Sequence, residues 1–299
     1  MPAKTNTVMA ADIQTTAREI DFVTRFGRNW EHLRDIMGVT RKIEMLPNTV
    51  LKSKYAQGTL QDGKVGEGEE IPYSKYTVKT KDYEKITLEK WAKGTTAEAI
   101  LENGYENAVQ MTDDEMLNDL TADVAGRFYK YLNTGTLKGT SKTFQEAMAM
   151  AKGRVLNKFK TMHRTATDVV AFVNVLDVYE YLGTSAVINE QSEFGFNYIK
   201  NFMGYKTVFL LAETEIARGK VIATPADNIV LYYVSPTNSD WARAGFRLTT
   251  DSKTGIVGVN TRPDYDTFVT VITAIMGMTL FAEYIDGIAV ETITPAETV

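Results

Sequence analysis

The sequence predicts an α+β fold, and three stretches carry that expectation. A long amphipathic helix spans Thr112 to about Asn133. Ahead of it, Thr40–Lys93 is rich in lysine and poor in apolar residues, and reads as a long two-stranded hairpin. Behind it, from Thr165 onward, short apolar strands mix with a short helix and lead to a long uncharged strand beginning at Thr267.

The long helix is the element around which the rest is arranged. Thr112 and Glu115 have the spacing of a capping box, and Asp113 and Asp114 put negative charge where the helix dipole favours it. Leu117, Leu120, Val124, Phe128 and Tyr131 recur at helical spacing and define one apolar face. Gly135 follows as a stop. At 1.5 Å per residue such a rod is about 33 Å long.

Met1 to about Ala10 reads as a flexible arm. Ile13, Ala17, Ile20, Val23, Trp30, Leu33 and Met37 then keep a helical period up to a stop at Gly38, with a break expected at Gly27. In the hairpin region, extended segments at Thr49–Gln57 and Tyr73–Trp91 flank a polar, glycine-containing tip at Gln61–Glu70. An isolated two-stranded hairpin is marginal in water, so this one needs a surface to lie on. Thr95 and Glu98 are expected to cap a short helix ending at Gly104. Thr143 and Glu146 are expected to cap another, reaching about Lys160 with Phe144, Ala147, Met148, Ala151, Val155 and Phe159 on its apolar face. Strands are expected at Asp168–Val173, Lys206–Leu211, Lys220–Ala223, Ile229–Val234 and Ile288–Ile293, with a helix at Val175–Leu182. A hairpin of Phe246–Thr250 with Gly255–Asn260 turns at Asp251–Lys253.

Composition removes several classes of function. The 299 residues are long enough to bury a substantial core, and the net charge of −5 lacks the basic footprint of a dedicated nucleic-acid binder. There is no cysteine, so stability comes from packing or association. The first eleven residues lack a signal-peptide core, and Thr267–Ala282 is too short to span a membrane and reads as a strand buried on both faces. His32 and His163 have no ligand partner at metal-binding spacing. Gly63, Gly66 and Gly68 fit no phosphate-loop pattern, and Glu67, Glu69 and Glu70 beside them would repel a phosphate. No G-x-S-x-G elbow is present. No catalytic, metal or cofactor site is expected.

Taken in order, the stretches Thr49–Val78, Ile86–Ile100, Thr112–Thr136, Phe202–Val234 and Phe268–Val290 resemble the major capsid proteins of tailed bacteriophages, a fold shared with encapsulins. The likeness lies in their order and spacing. It implies an N-terminal arm and helix (1–47), an extended E-loop hairpin (48–94) and a P-domain with the spine helix (95–165). An α/β A-domain (166–260), a P-domain return strand (261–285) and a C-terminal strand returning to the A-domain (286–299) complete the division. The resemblance further implies self-assembly into hexamers and pentamers of an icosahedral shell around phage DNA, which is touched only non-specifically. A separate scaffolding protein, a portal and head-completion proteins would be partners. The product would be a virion capsid assembled in the bacterial cytoplasm, with no membrane partner, no cofactor and no enzymatic activity. Lys54, Lys64, Glu67, Glu69, Glu70, Lys75, Lys79 and Lys81 become the candidate contacts with an adjacent subunit. Two other readings remain open at this stage. An encapsulin-type shell would enclose cargo protein instead of DNA, and an α/β hydrolase or ligand-binding protein would need a pocket of converging polar groups.

Overall fold

The computed structural model describes residues 10–37, 39, 41–183, 190–193, 196–237, 239–251 and 255–294. Helix α1 (Ala10–Met37) is followed by β1 (Arg41–Glu44) and the pair β2 (Val50–Gly58) and β3 (Tyr76–Lys85). Next come β4 (Glu89–Thr96), α2 (Ala97–Tyr105), a π-helical turn (Glu106–Gln110) and α3 (Met111–Leu132). β5 (Leu137–Ser141) and α4 (Phe144–Thr161) lead to β6 (Val169–Asn174) and α5 (Val175–Leu182). β7 (Glu190–Glu193), β8 (Phe196–Lys200), β9 (Thr207–Leu211), β10 (Lys220–Pro225) and β11 (Ile229–Val234) follow. The chain closes with α6 (Ser239–Arg243), β12 (Thr249–Thr250), β13 (Val257–Asp264), β14 (Val269–Ala282) and β15 (Ala289–Ile293). The expected arm at residues 1–9, the stop at Gly38 and the turn residues 252–253 lie outside the described residues.

Two sheets enclose α3. One is ordered β1-β11-β14-β13-β12, with β4 added on the other side of β14. The first half of β14 is flanked by β13 and β4, and its second half pairs with β11. Its burial follows this change: side chains alternate in the first half, and most are covered in the second. The expectation of a strand buried on both faces therefore holds only for the second half. The other sheet runs β5-β15-β10-β6-β9-β8-β7.

β6 explains why the central strands of that second sheet read as unbroken apolar sequence. Val170 and Phe172 point into the core shared with α3, whereas Val169, Ala171 and Val173 point into a second core under α4. A strand covered on both faces needs no polar alternation. Phe128 of α3 meets Phe172 edge-on, at 5.9 Å between ring centroids and 81° between planes. Leu117, Leu120, Val124 and Phe128 are buried, and Thr121, Ala125, Tyr129 and Leu132 widen that face beyond the expected stripe. Tyr131 sits at its edge, half-buried, donating its hydroxyl to the Ala282 carbonyl at 3.0 Å.

Four local expectations need correction. Thr112 does not begin a helix, because its hydroxyl donates back to the carbonyls of Ala108 (2.8 Å) and Val109 (3.0 Å), as a Thr inside a helix does. The real break is Gly104, at φ 78° and ψ 159°, a conformation that glycine tolerates. From Tyr105 the chain is helical through to Leu132, so the rod is a turn and a half longer than expected. The short helix before it is capped by Thr96, whose hydroxyl accepts from the Ala99 N–H at 3.2 Å, not by Thr95. Thr95 instead pairs with Thr270 in the sheet. The third box forms in part: the Glu146 N–H donates to Thr143 (3.2 Å), while the Glu146 carboxylate accepts from the Lys142 N–H (2.8 Å). In α1, Gly27 causes no break. Its buried face is Phe22, Val23, Phe26 and Trp30, while Ile20 is half-exposed.

A buried charge cluster ties α1 to the head of α3. Arg18 donates to both carboxylate oxygens of Asp113, at 2.6 and 2.8 Å, and Lys93 of β4 lies 2.5 Å from the same carboxylate. Removing one member would strand the others in a low-dielectric setting. The acidic residue read as a dipole partner is thus a three-element clamp.

Candidate assembly surface

The hairpin forms a sheet of its own. β2 and β3 pair from Val50–Lys85 out to Gly58–Tyr76, with an irregularity between Val50 and Lys52, and no third strand joins them among the described residues. The base is anchored: Leu51 and Ile86 are buried, and the Asn48 N–H donates to the Ile86 carbonyl at 2.8 Å. Gly58 closes β2 where an added Cβ would fall 2.4 Å from the Lys75 carbonyl. The expected second segment, Tyr73–Trp91, is two strands instead. β3 ends at Lys85, and β4 leaves the hairpin to pair with β14. Buried Ile86 marks the change of partner.

Beyond the strands, residues 59–75 form a tip held by short-range contacts. The Lys64 N–H donates to Asp62 (3.0 Å), the Gly66 N–H to the Glu69 carboxylate (2.8 Å), and the Gln61 N–H crosses to the Ser74 hydroxyl (3.0 Å). Lys64, Glu67, Glu69, Glu70 and Lys75 are exposed. The backbone of Lys54 pairs opposite Thr80, Lys79 opposite Tyr55 and Lys81 opposite Ser53. The charged residues singled out from the sequence therefore lie along the hairpin and its tip.

Sequence reasoning missed the apolar half of this surface. Leu60 (76% exposed), Ile71 (67%), Tyr73 (92%), Tyr76 (57%) and Val78 (69%) all face solvent on the same hairpin. Isolated exposed apolar residues are ordinary, but five on one two-stranded element single it out as a candidate contact surface. The available signal was their placement in a segment with no local core.

A cleft of about 820 Å³ opens at the hairpin base. Its apolar wall includes Leu51, Ile86, Met278 and Leu280, and Tyr131 stacks on Phe281 at its edge, 4.8 Å between centroids. Lys85 and Lys130 also line it; both are exposed and neither forms an ion pair among the described residues. Arg127 is held by Glu89 and by Asp123 at 3.0 Å.

Among the described residues no set of His, Asp and Glu side chains is grouped to hold a metal ion. No helix among them is long and apolar enough to cross a membrane. The strongest titration effects fall on core phenols: burial pushes Tyr129 and Tyr205 well above the ordinary tyrosine value. Tyr205 donates to the Met148 carbonyl at 2.6 Å, and the Tyr129 hydroxyl has no partner among the described residues.

As a whole, this arrangement of two sheets around a long helix matches the fold of solved phage capsid proteins. The capsid of cyanophage A-1(L) matches with a TM-score of 0.53 at 11% identity, covering 86% of this chain and 91% of its own. The capsid of an empty GTA particle matches at 0.51 and 8% identity, over 87% and 89%. The capsid of cyanophage P-SCSP1u matches at 0.50 and 8% identity, over 87% and 88%. No protein-family model and no curated protein matches the sequence. At such identities what is shared is the fold.

Proposed function

We propose that the chain is a structural shell subunit that self-assembles into a closed icosahedral particle and catalyses no reaction. The observation that carries this reading is the hairpin. Its distal half exposes five large apolar side chains, it pairs with no third strand among the described residues, and the fold is shared with solved phage capsids. A projecting, uncovered hairpin is poorly suited to a monomer and well suited to a surface completed by another copy. In this reading residues 48–94 act as the E-loop, α3 as the spine helix, and DNA is the enclosed cargo. The scaffolding, portal and head-completion proteins would be separate partners.

The test is negative-stain imaging of the protein expressed alone and together with its neighbouring genes, with the absorbance ratio read for nucleic acid. Uniform closed shells able to take up DNA support the proposal. Shells holding only protein cargo would move it to a compartment of the encapsulin type. A folded protein that never forms particles would count against both.

A further inference from the structure

We infer that Asn103, at the joint between α2 and the long rod, is a modification site: its side-chain amide is lost by spontaneous deamidation, without an enzyme. The site stands whether or not the chain forms shells. Asn103 is the single asparagine of the sequence that is followed by glycine. The Gly104 backbone nitrogen, once its proton is lost, attacks Cγ of Asn103. A C–N bond forms, closing a succinimide ring, and the side-chain nitrogen leaves with its protons as ammonia. Water then opens the ring at either carbonyl, giving aspartate or isoaspartate. Water is the co-reactant throughout, and no electrons change hands.

The joint is built in a way that favours this step. Asn103 and Gly104 are both exposed, and a Cβ added at Gly104 would meet nothing within 4 Å, so the attacking nitrogen stands in open surroundings. Gly104 leaves helical geometry, and α2 before it has no buried residue. A helix of that length does not hold itself in water, so local opening frees Asn103 from the bond its amide makes to the Ala99 carbonyl at 3.1 Å. The side-chain amide of Asn107 donates to the Asn103 backbone carbonyl at 3.0 Å. That bond draws electron density from the peptide and makes the Gly104 N–H easier to deprotonate. Asp286–Gly287, which could close the same ring by losing water, is the opposite case. The Gly287 N–H donates to the Tyr284 carbonyl at 2.9 Å, and an added Cβ would fall 2.7 Å from Phe159. That backbone is packed in place, whereas Gly104 opens to solvent.

The product puts a new carboxylate between the exposed Glu102 and Glu106, at the end of α2 where the helix dipole disfavours negative charge. Isoaspartate also lengthens the main chain by one methylene at the joint. α2 is thereby loosened, while α3 keeps its buried face.

The purified full chain is aged in mildly alkaline buffer, folded and in parallel unfolded in urea, and its peptides are followed by mass spectrometry. The acid form is expected at Asn103 ahead of the exposed Asn118 and Asn157, as a mixture of aspartate and isoaspartate. Its rate in the folded chain should lie within about tenfold of the unfolded rate, because opening of α2 is nearly free. Asn103→Gln, which must close a larger ring, should lose the one-charge acidic shift seen on isoelectric focusing. Amide exchange should quicken across residues 97–103 of the aged chain and stay unchanged across 117–132. An Asn103 that stays intact in the folded chain, or reacts no faster than Asn118 and Asn157, would overturn the site. Full modification with unchanged exchange in α2 would overturn the loosening.

Discussion

Tyr129 and Tyr205 are both buried phenols, yet their hydroxyls are in opposite situations. Tyr205 donates to the Met148 carbonyl, so Tyr205→Phe leaves that carbonyl short of a partner and should cost about 1–2 kcal/mol. Tyr129 buries a hydroxyl with no partner among the described residues, so Tyr129→Phe should be neutral or stabilise by up to about 1 kcal/mol. Urea midpoints of the two variants would show the contrast, and equal losses would mean that Tyr129 has a partner. Burial raises both folded-state pKa values, so the unfolded chain ionises first as pH rises. The stabilising contribution is complete below about pH 10 and is lost above it, and Tyr129→Phe should flatten the fall of Tm in that range. None of this was legible from sequence, because a tyrosine in an apolar stripe looks the same with or without a partner. Capping was legible where the Thr stood outside the helix, as at Thr143. It failed at Thr112, where the preceding residues Glu106–Gln110 are helical without an apolar period and so concealed the true start.

The elements follow the same logic. α3 was readable because Leu117, Leu120, Val124 and Phe128 keep one period along a face that is in fact buried. Leu120→Asp or Val124→Asp would place an unpaired charge there, at a cost on the order of 4–5 kcal/mol, and should give insoluble protein. Asp123, next to Val124 and exposed, should accept Asn with no loss of solubility; normal solubility of Val124→Asp would mean the face is not core. β5, β7 and β8 escaped sequence reading because Leu137–Ser141 and Glu190–Lys200 are too polar to announce a strand, and their pairing comes from tertiary neighbours. The hairpin was recognised by its poverty of core residues, and its second strand was overrun because nothing local marks the change of partner at Ile86. In a verified monomer, amide exchange should be fast across Lys52–Lys81, where two strands pair with each other and with no third strand among the described residues, and slow across Leu117–Leu132. Equal protection in the two regions would remove the distinction between core and projecting arm.

At the scale of the whole molecule, the order of elements was legible and the assembly surface only half so. Lysines and glutamates on the hairpin stood out as an excess of charge, whereas Leu60, Ile71 and Tyr73 became notable only once the fold placed them among the exposed residues. The cleft at the hairpin base joins residues from positions 51 to 285, a juxtaposition no local pattern encodes. If those surfaces exist to meet other copies, association is linked to stability by mass action, and the monomer is the minor species at working concentration. Sedimentation velocity of the purified 33.4 kDa chain over a rising concentration series tests this most directly. The expected result is a fast, narrow boundary of closed particles that grows at the expense of the monomer above a threshold concentration. A single folded monomer boundary, unchanged to the highest concentration and in the presence of its partner proteins, would contradict it.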